Sequence, residues 1–417
     1  MSHAATPVGG RIVTRPFLVL AAFAAIGAAL LAWRFLFGIG AVTNLNDGYP
    51  WGIWIAFDVV VGTAIACGGY AVALVVYIMN RGRYHPLIRS AIITSALGYT
   101  LAGFSVVIDL GRWWNVYGVP LQFWNWNLNS ILLEVALCIM LYMLVLWLEI
   151  SPAFLEKGQT AASPRVRNFS EKALPKVNRA MPWLIALGMV LPTMHQSSLG
   201  SLMMLAGPRL HELWLSPLLP LMFLMTCLSM GYAAVILEST LSTRAFRRPS
   251  ETPLLARLAR PAAILFVAYV VVRFADLAYQ GKAGILFQPD RYVLLFWTEI
   301  VLFLAAAAML LRANHRVSTA ILFRAAAVTL AAGALYRFST FLFVFDPGPG
   351  WSYFPGVAEI MITVGVVSAE IMAYIALVKT FPILAGVRAA PAVGPVPQHV
   401  IEDMSEEKKA TPAGSGD

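Results

Sequence analysis

Ionisable side chains interrupt the long apolar stretches of this 417-residue sequence. Glu134 and His195 stand in such stretches without an oppositely charged neighbour, and Glu149 lies near the far end of the stretch that holds Glu134. A charged group in hydrocarbon costs at least ~2.5–3.5 kcal/mol, so each is a candidate functional residue. Carboxyl and imidazole groups transfer protons once burial moves their pKa values toward neutrality. We therefore expect Glu134, His195 and Glu149 to carry protons.

A quinone fits these groups better than a haem or a metal ion. A b-type haem in a membrane normally takes two axial histidines, and of the six histidines only His195 lies deep in an apolar stretch. We therefore expect no haem in this chain. The carboxylates lack a spacing that specifies metal ligands, so no metal site is predicted. A quinone resides in the bilayer and needs a proton donor near each carbonyl oxygen, which histidine and carboxyl groups supply.

The composition places these groups in a membrane. Hydrophobic residues make up 59% of the chain, charged residues make up 12%, and the mean hydropathy is +0.73, whereas soluble domains are about 25% charged. This excludes a soluble enzyme, a disordered chain and a disulfide scaffold. Only helices satisfy their own backbone groups across lipid, so we predict an all-α integral membrane protein with about ten transmembrane helices of ~20 residues. The predicted spans are 17–37, 54–79, 89–110, 129–150, 182–206, 216–240, 257–278, 291–312, 319–343 and 356–381.

The basic residues predict the orientation. Most of the 30 lysines and arginines fall in alternate connecting segments, and such residues collect on the cytoplasmic side. We predict a multi-pass protein of a bacterial inner membrane with both termini cytoplasmic, so its net charge of +9 needs no nucleic-acid partner. Residues 1–16 are expected to be a cytoplasmic segment, 17–384 the membrane domain and 385–417 a disordered tail. The first stretch is too long for a signal-peptide core, so we expect it to remain a helix.

With helix directions assigned, the ionisable residues favour one leaflet. Glu149, Glu238 and Glu370 lie in inner portions of their helices, and eleven residues separate Glu359 from Glu370, which places both on one helix face. The pattern predicts a polar pocket near the outer face and carboxylates that conduct protons from the inner side. Alternatively, Arg273 and Asp276 form a structural pair at i,i+3, and Glu149 and Glu238 reach the inner surface. The residues in outer portions are Asp58, Glu134, His195, Arg273, Asp276, Glu299, Arg337 and Glu359.

Several long, ordered motifs carry a family resemblance. They are DGYPWGIWIAFD (Asp47–Asp58), CGGYA from Cys67, NRGRYHPLIR (Asn80–Arg89), DLGRWWN (Asp109–Asn115), NSILLE ending at Glu134, LPTMHQSSLGSL (Leu191–Leu202) and YFPGVAEI (Tyr353–Ile360). Together they resemble the membrane subunit of quinone-reducing, periplasm-facing nickel–iron hydrogenases of the hydrogenase-2 type. That subunit is a ten-helix branch of the NrfD-like, polysulfide-reductase membrane-subunit family. The resemblance extends over residues 1 to 384.

The resemblance implies a fold, partners and a substrate. The fold is two four-helix bundles, helices two to five and six to nine, flanked by helices one and ten. A ferredoxin-like iron–sulfur subunit docks on the periplasmic face, with the hydrogenase small iron–sulfur subunit and the large nickel–iron subunit behind it. Electrons pass to menaquinone or ubiquinone in the outer leaflet of the lipid bilayer.

The resemblance also assigns residues to the quinone pocket. It places the pocket in the first bundle, which carries over to Asp58, Asp109, Arg112, Glu134 and His195. Lining roles fall to Trp54 and Gln196. Glu134 and Glu149 match acidic positions that serve proton transfer.

Two alternatives remain open at this point. The same quinone module serves other periplasmic oxidoreductases, such as those for polysulfide, tetrathionate or nitrite, and this chain contributes no substrate chemistry that separates them. Ten helices with buried carboxylates also suit an ion-coupled secondary transporter, which predicts broken helices at corresponding places in two inverted halves. Pro192 marks one candidate break.

Overall fold

The structure, a computed structural model, describes residues 5–315 and 317–385, without the side chains of 314 and 315. Within these residues the chain forms long helices and no β-strand, which confirms the all-α fold class. Residues 1–4 of the predicted N-terminal segment and 386–417 of the predicted tail lie outside the described residues. The helices are α1 (Arg15–Phe37), α2 (Trp54–Ile78), α3 (Ile88–Asp109), α4 (Ile131–Gly158), α5 (Pro164–Ala206), α6 (Leu219–Ala245), α7 (Thr252–Tyr279), α8 (Arg291–His315), α9 (Thr319–Phe343) and α10 (Val357–Thr380).

Nine of these described helices are long and apolar enough to cross a membrane, which confirms a multi-pass membrane protein. The remaining helix, α5, is 43 residues long. The half toward its C-terminus contains His195 and Gln196, and these polar residues lower its mean hydropathy. Since α5 packs lengthwise against α4 and then against α6, we infer that it crosses the membrane beside them.

The helices form two four-helix bundles. Helices α2 to α5 pack around one another, and α6 to α9 do the same. Helix α2 also contacts α6 and α9, so one continuous apolar core runs through both bundles. Helices α1 and α10 pair with each other and pack on α3 from outside the first bundle. This arrangement confirms the predicted two bundles with flanking helices.

The two ends of the bundles differ in composition. We name the end where α1 begins the basic side and the opposite end the aromatic side. Segments at the basic side carry Arg83, Arg165 and Arg247, and those at the aromatic side carry Trp113, Trp124 and Trp351.

Helix α2 is irregular along its length. It opens with a π-helical turn over Trp54–Val59, breaks at Ala66 and Cys67, and closes with a second π-helical turn over Leu74–Ile78. Such turns take main-chain groups out of the regular ladder and occur often at functional sites. A Cβ atom on Gly98 of α3 would lie 2.6 Å from the Ala66 Cβ. The break in α2 therefore packs directly on α3.

Arg337 of α9 joins the two bundles. Its side chain is fully buried, and its Nη1 donates to the Val60 carbonyl of α2 at 3.0 Å. Its Nη2 donates to the Phe223 carbonyl of α6 at 2.5 Å and to the Thr226 hydroxyl at 3.3 Å. No carboxylate among the described residues forms an ion pair with it. The guanidinium is thus held by main-chain oxygens from both bundles.

Arg34 of α1 also donates to main-chain oxygens, at the end of α3. It is buried, and its Nε and Nη2 donate to the Ile108 and Leu110 carbonyls at 2.8 and 2.5 Å. A cation at a helix C-terminus satisfies carbonyls that have no partner within the helix. Arg34 therefore fixes the position of Asp109, which lies between the two carbonyls.

We predict that Gly365→Ala separates α1 from α10. A Cβ atom at Gly365 would lie 2.6 Å from the Gly27 Cα, and backbone atoms cannot move aside as a flexible side chain can. Overpacking of this kind costs about 1–3 kcal/mol. The midpoint of thermal unfolding in detergent should fall accordingly. Gly103→Ala is the matched control, because its nearest new contact is the Ile139 Cγ2 at 3.6 Å. Equal midpoints for the two variants would contradict the prediction.

Candidate functional site

The predicted site residues occupy five places in the fold rather than one. Asp58, Asp109 and Trp54 lie where α2, α3 and α10 meet, and His195 and Gln196 lie in the core of the first bundle. Glu134 lies between α4 and α5 toward the aromatic side. Glu149 lies toward the basic side, and Arg112 is exposed beyond the end of α3.

Asp58 is buried in the first π-helical turn of α2. Its Oδ2 accepts hydrogen bonds from the Ser105 hydroxyl of α3 and the Thr363 hydroxyl of α10, both at 3.2 Å. Its Oδ1 is buried without a partner among the described residues, as is the Nε1 of the neighbouring Trp54. Asp58 thus joins three helices and keeps one oxygen available.

Two further carboxyl groups lie above Asp58 on the aromatic side. The Asp109 Oδ1 accepts from the Gly52 N–H at 3.2 Å. A Cβ atom on Gly52 would lie 3.3 Å from that oxygen and 3.6 Å from the Glu359 Oε1, so the absence of a side chain there lets both carboxyl groups approach. We call Asp58, Asp109 and Glu359 the carboxyl cluster. No group of three His, Cys, Asp or Glu side chains among the described residues is close enough to hold a metal ion.

Tyr353 holds Glu359 in place. Its hydroxyl donates to the Glu359 Oε1 at 2.6 Å and accepts from the Ile53 N–H at 3.0 Å. Burial, together with the hydrogen bond to Glu359, raises the pKa of Tyr353, so the phenol stays protonated and remains a donor. The Glu359 Oε2 accepts from the main-chain N–H groups of Asn44 and Gly356 at 3.0 and 2.6 Å. Glu359 is therefore fully hydrogen-bonded, unlike Asp58.

His195 and Gln196 share one partner in the first bundle. The His195 Nε2 lies 3.3 Å from the Thr63 Oγ1 of α2, and the Gln196 Nε2 donates to the same hydroxyl at 3.0 Å. The His195 Nδ1 and the Gln196 Oε1 are buried without a partner among the described residues. The Tyr99 ring packs edge-on against the imidazole at 5.6 Å. This cluster is polar, enclosed and incompletely satisfied, as a proton-handling site would be.

The side chain of Glu134, on α4, reaches α5 one helical turn after His195. Its Oε1 accepts from the Ser198 hydroxyl at 2.8 Å, and Ser198 follows His195 by three residues on α5. Glu134 is half-buried near the start of α4. The Glu134 side chain and His195 therefore meet α5 on successive turns. Asp58 and Asp109 lie on the opposite side of α2, toward α3 and α10.

A cavity of about 580 Å³ enters the first bundle from the basic side and is lined by Glu149, Tyr70 and Tyr142. The Arg89–Glu156 ion pair, 2.5 Å long, lines it nearer the basic side. A Cβ atom on Gly188 of α5 would lie 2.7 Å from the Glu149 Oε1, so glycine makes room for this carboxyl group.

A hydroxyl pair continues from this cavity toward His195. The Tyr70 hydroxyl lies 2.7 Å from the Thr193 hydroxyl, two residues before His195 on α5. The cavity and Tyr70 therefore extend from Glu149 to the turn of α5 that precedes His195.

The predicted pairing of Arg273 with Asp276 is wrong. No ion pair joins them among the described residues, and the Asp276 Oδ2 accepts instead from the Gln280 Nε2 at 2.7 Å. The Arg273 guanidinium lies over the rings of Trp214, Phe296 and Tyr336 at 5.4–5.6 Å. The i,i+3 spacing permits contact, but an aromatic cage in the second bundle takes the cation.

Sequence reasoning missed the neutral partners of the site. Thr63 hydrogen-bonds to His195 and Gln196. Asp58 accepts from Ser105 and Thr363. A hydroxyl residue in an apolar stretch gives no distinct signal in the sequence. Tyr353 stood within a quoted motif but had no assigned role.

We predict that Thr63→Val destabilises the first bundle. The change keeps the shape but leaves the Gln196 amide donor unpaired in the core, which costs about 1–3 kcal/mol. The midpoint of thermal unfolding of the protein in detergent should fall. Thr329→Val is the matched control, because Thr329 is equally buried but its hydroxyl bonds only to a carbonyl of its own helix at 2.7 Å. An equal change in both variants would show that Thr63 has no special partner role.

Known proteins similar to this chain include two named subunits of oxidoreductases. The "Probable Ni/Fe-hydrogenase 2 b-type cytochrome subunit" of Escherichia coli is 41% identical over 389 residues, which cover 92% of this chain and 96% of that protein. A protein of Nitratidesulfovibrio vulgaris is 32% identical over 90% of this chain and 94% of its own length. The "Menaquinone reductase, integral membrane subunit" of the same organism is 28% identical over 57% of this chain and 56% of that protein.

The prediction that this chain has no haem is contradicted by the first of these names. A b-type cytochrome is a haem protein, and the Escherichia coli relative is named as one. His195 is the one histidine buried within the bundles among the described residues, and its Nε2 faces Thr63. The described side chains therefore do not supply a facing pair of axial histidines.

The family match covers most of the chain. Residues 41–344 match the family described as "Polysulphide reductase, NrfD", and this range runs from before α2 to the end of α9, so it includes both bundles. The match agrees with the motifs that carry the resemblance and with the relative that spans 92% of the chain. This chain belongs to the NrfD polysulphide reductase family.

Proposed function

We propose that this chain is the quinone-reactive membrane subunit of a nickel–iron hydrogenase on the outer face of the bacterial inner membrane. The identity to the hydrogenase 2 subunit supports the complex, and the menaquinone reductase relative supports the quinone. The partners are a ferredoxin-like iron–sulfur subunit and the hydrogenase small and large subunits, docked on the aromatic side. Both termini are cytoplasmic, so the basic side faces the cytoplasm.

The substrate, menaquinone or ubiquinone, is reduced in the aromatic-side half of the first bundle. It takes up two electrons from the iron–sulfur partner and two protons from this chain. His195 and Glu134 deliver protons to the two carbonyl oxygens, since Glu134 of α4 accepts from Ser198, one turn after His195 on α5. Asp58 and Asp109 keep the pocket polar, Trp54 and Gln196 line it, and Arg112 lies exposed at its rim.

The observation that carries the proposal is the one-sided access to these groups. The 580 Å³ cavity reaches Glu149 from the basic side, and Tyr70 and Thr193 continue toward His195. Electrons that arrive from outside and protons that arrive from the cytoplasm make quinone reduction build a membrane potential.

A second candidate is the same quinone module in a different oxidoreductase. The family description names a polysulphide reductase, and a selenate reductase subunit of Mesobacillus selenatarsenatis is 23% identical over 53% of this chain and 54% of that protein. In that case the membrane chemistry is unchanged and the soluble partner differs.

The complex that co-purifies with this chain in mild detergent should reduce quinone with H2. The same complex without this chain should lose quinone reduction but retain reduction of a soluble dye, because the nickel–iron centre lies in a partner subunit. Quinone reduction that persists without the chain would refute the proposal. Quinone reduction without a hydrogenase partner would favour the second candidate.

We predict that Glu149→Gln lowers proton uptake from the cytoplasmic side. Glutamine keeps the shape but cannot release a proton, so the number of protons taken up per quinone reduced should fall about twofold or more. The complex is placed in vesicles with a pH-sensitive dye on the cytoplasmic side. Glu171→Gln, on an exposed part of α5, is the control and should match the unaltered complex. Undiminished uptake would exclude Glu149 as a relay.

A further inference from the structure

We propose a second proton route along α10, from Glu238 through Tyr374 and Glu370 to Asp58. It rests on the proposed function and extends it, because it supplies the carboxyl cluster from the basic side without using the Glu149 cavity. The side chains that form it belong to α2, α3, α6 and α10.

One face of α10 carries polar groups along its whole length. Glu359, Thr363, Glu370 and Tyr374 are spaced by four, seven and four residues. At 100° per residue these spacings keep all four within roughly 60° of one another. An apolar helix in contact with lipid has no need of such a stripe, and this one faces α3 and α2.

The route begins where α10 meets α6 near the basic side. The Tyr374 hydroxyl donates to the Glu238 Oε1, and the Glu238 Oε2 is buried without a partner among the described residues. The next residue, Ser239, donates to the Glu251 Oε2 at 2.7 Å. Glu251 in turn pairs with Arg248 at 3.6 Å, in the segment between α6 and α7. Polar groups therefore connect Glu238 to the basic-side loop.

Glu370 occupies the middle of the route. It lies about 6 Å along the axis from Tyr374, and a Cβ atom on Gly98 of α3 would lie 3.6 Å from its Oε1. The same Gly98 position is 2.6 Å from the Ala66 Cβ, at the break in α2. The carboxyl group therefore lies where α10, α3 and the broken α2 meet.

The longest interval separates Glu370 from Thr363, about 10.5 Å along α10. A cleft of about 330 Å³ runs beside it, and its lining is mostly apolar, with Glu370 and Thr100 as its polar side chains. The Thr100 hydroxyl donates to the Ala96 carbonyl at 2.6 Å and accepts from the Trp147 Nε1 at 2.9 Å, so Glu370 is the main partner for water in the cleft. The proposed transfer across this interval uses water that enters the cleft beside Glu370.

Asp58 receives the proton at the aromatic-side end. The Thr363 hydroxyl bonds to its Oδ2, and its unpartnered Oδ1 is free to take a proton. Glu359 follows one turn further along α10, already saturated by Tyr353 and two main-chain N–H groups. Asp58 is therefore the end of the route, and Glu359 is a fully hydrogen-bonded neighbour that takes no part in the transfer.

The transfer itself is a series of balanced proton hops. In the resting state the Tyr374 hydroxyl donates to Glu238, so it first turns toward Glu370. Its proton then passes to the Glu370 carboxylate, and the O–H bond of a protonated Glu238 breaks as a new one forms on the Tyr374 oxygen. Glu370 then releases its proton toward Asp58. No electron moves in these steps, and each donor returns to its starting state with the next proton.

The α10 route is separate from the Glu149 cavity. Within the described part of the chain, that cavity is lined by residues of α2, the start of α3, α4 and α5 and by residues of the segments that flank α1, α3 and α10, but by no residue of α10 itself. Helix α3 lies between the two. Quinone reduction consumes two protons. In this extension Asp58, rather than Glu134, is the second donor beside His195, so each route supplies one proton.

The test compares Glu370→Gln and Tyr374→Phe with the unaltered complex in the same vesicles. Proton uptake from the basic side per quinone reduced should fall about twofold in each, because one of two routes is closed. Combining Glu370→Gln with Glu149→Gln should abolish this uptake. Ser368→Ala is the control on α10, since the Ser368 hydroxyl bonds only to a carbonyl of its own helix. Co-purification and the unfolding midpoint confirm that each variant assembles.

Two results would overturn the route. In one, Glu370→Gln and Tyr374→Phe both assemble and keep the uptake ratio of the unaltered complex. In the other, Glu149→Gln alone removes all uptake from the basic side. Failure of the proposed function itself is recognised separately, because the unaltered complex would then reduce no quinone with H2.

Discussion

A polar group inside hydrocarbon must find its partners within the protein, because lipid offers none. Arg337 shows what this constraint does to the fold. Its guanidinium is fully buried and takes main-chain oxygens from Val60 and Phe223, which belong to different bundles. Neither bundle can shift without leaving the cation unsatisfied. Arg337 therefore fixes the relative position of the two bundles together with the apolar core that runs through both.

The irregular course of α2 follows from the same demand. Its first π-helical turn, Trp54–Val59, places Asp58 toward α3 and α10. The Val60 carbonyl comes directly after this turn and accepts from Arg337 on the other side of the helix. A regular helix satisfies its own carbonyls and has little to offer to neighbours. The irregular turns of α2 therefore allow this one helix to pack in the first bundle, bind Arg337 of the second bundle and hold Asp58 in the carboxyl cluster.

The same constraint explains what the sequence predicts and what it does not. Hydropathy predicts the helices because the cost of exposed backbone acts on whole stretches of about 20 residues. Hydropathy underestimates how well α5 suits a membrane, because His195 and Gln196 are buried against Thr63 and do not contact lipid. Hydropathy averages a segment and carries no information on which face a polar residue occupies.

Contacts between distant helices escape sequence reasoning for a different reason. Arg112 stands three residues after Asp109, and the family resemblance assigned both to one pocket, yet α3 ends at Asp109 and Arg112 is exposed. The cation that positions Asp109 is Arg34, 75 residues earlier in the chain, and it acts through the carbonyls of Ile108 and Leu110. Charge in a span predicts that a residue matters. Its partner is decided by helix packing, which places α1 against the end of α3.

The two proposed proton routes end close together, although α3 separates them for most of their length. One approaches Thr63 through α5 and the other reaches Asp58 through α10. Thr63 and Asp58 are five residues apart on α2, about 7.5 Å along the axis. A quinone headgroup offers two carbonyl oxygens at opposite ends of one ring. A single irregular helix that presents proton donors from two sides therefore matches the geometry of a two-proton acceptor better than one continuous route would.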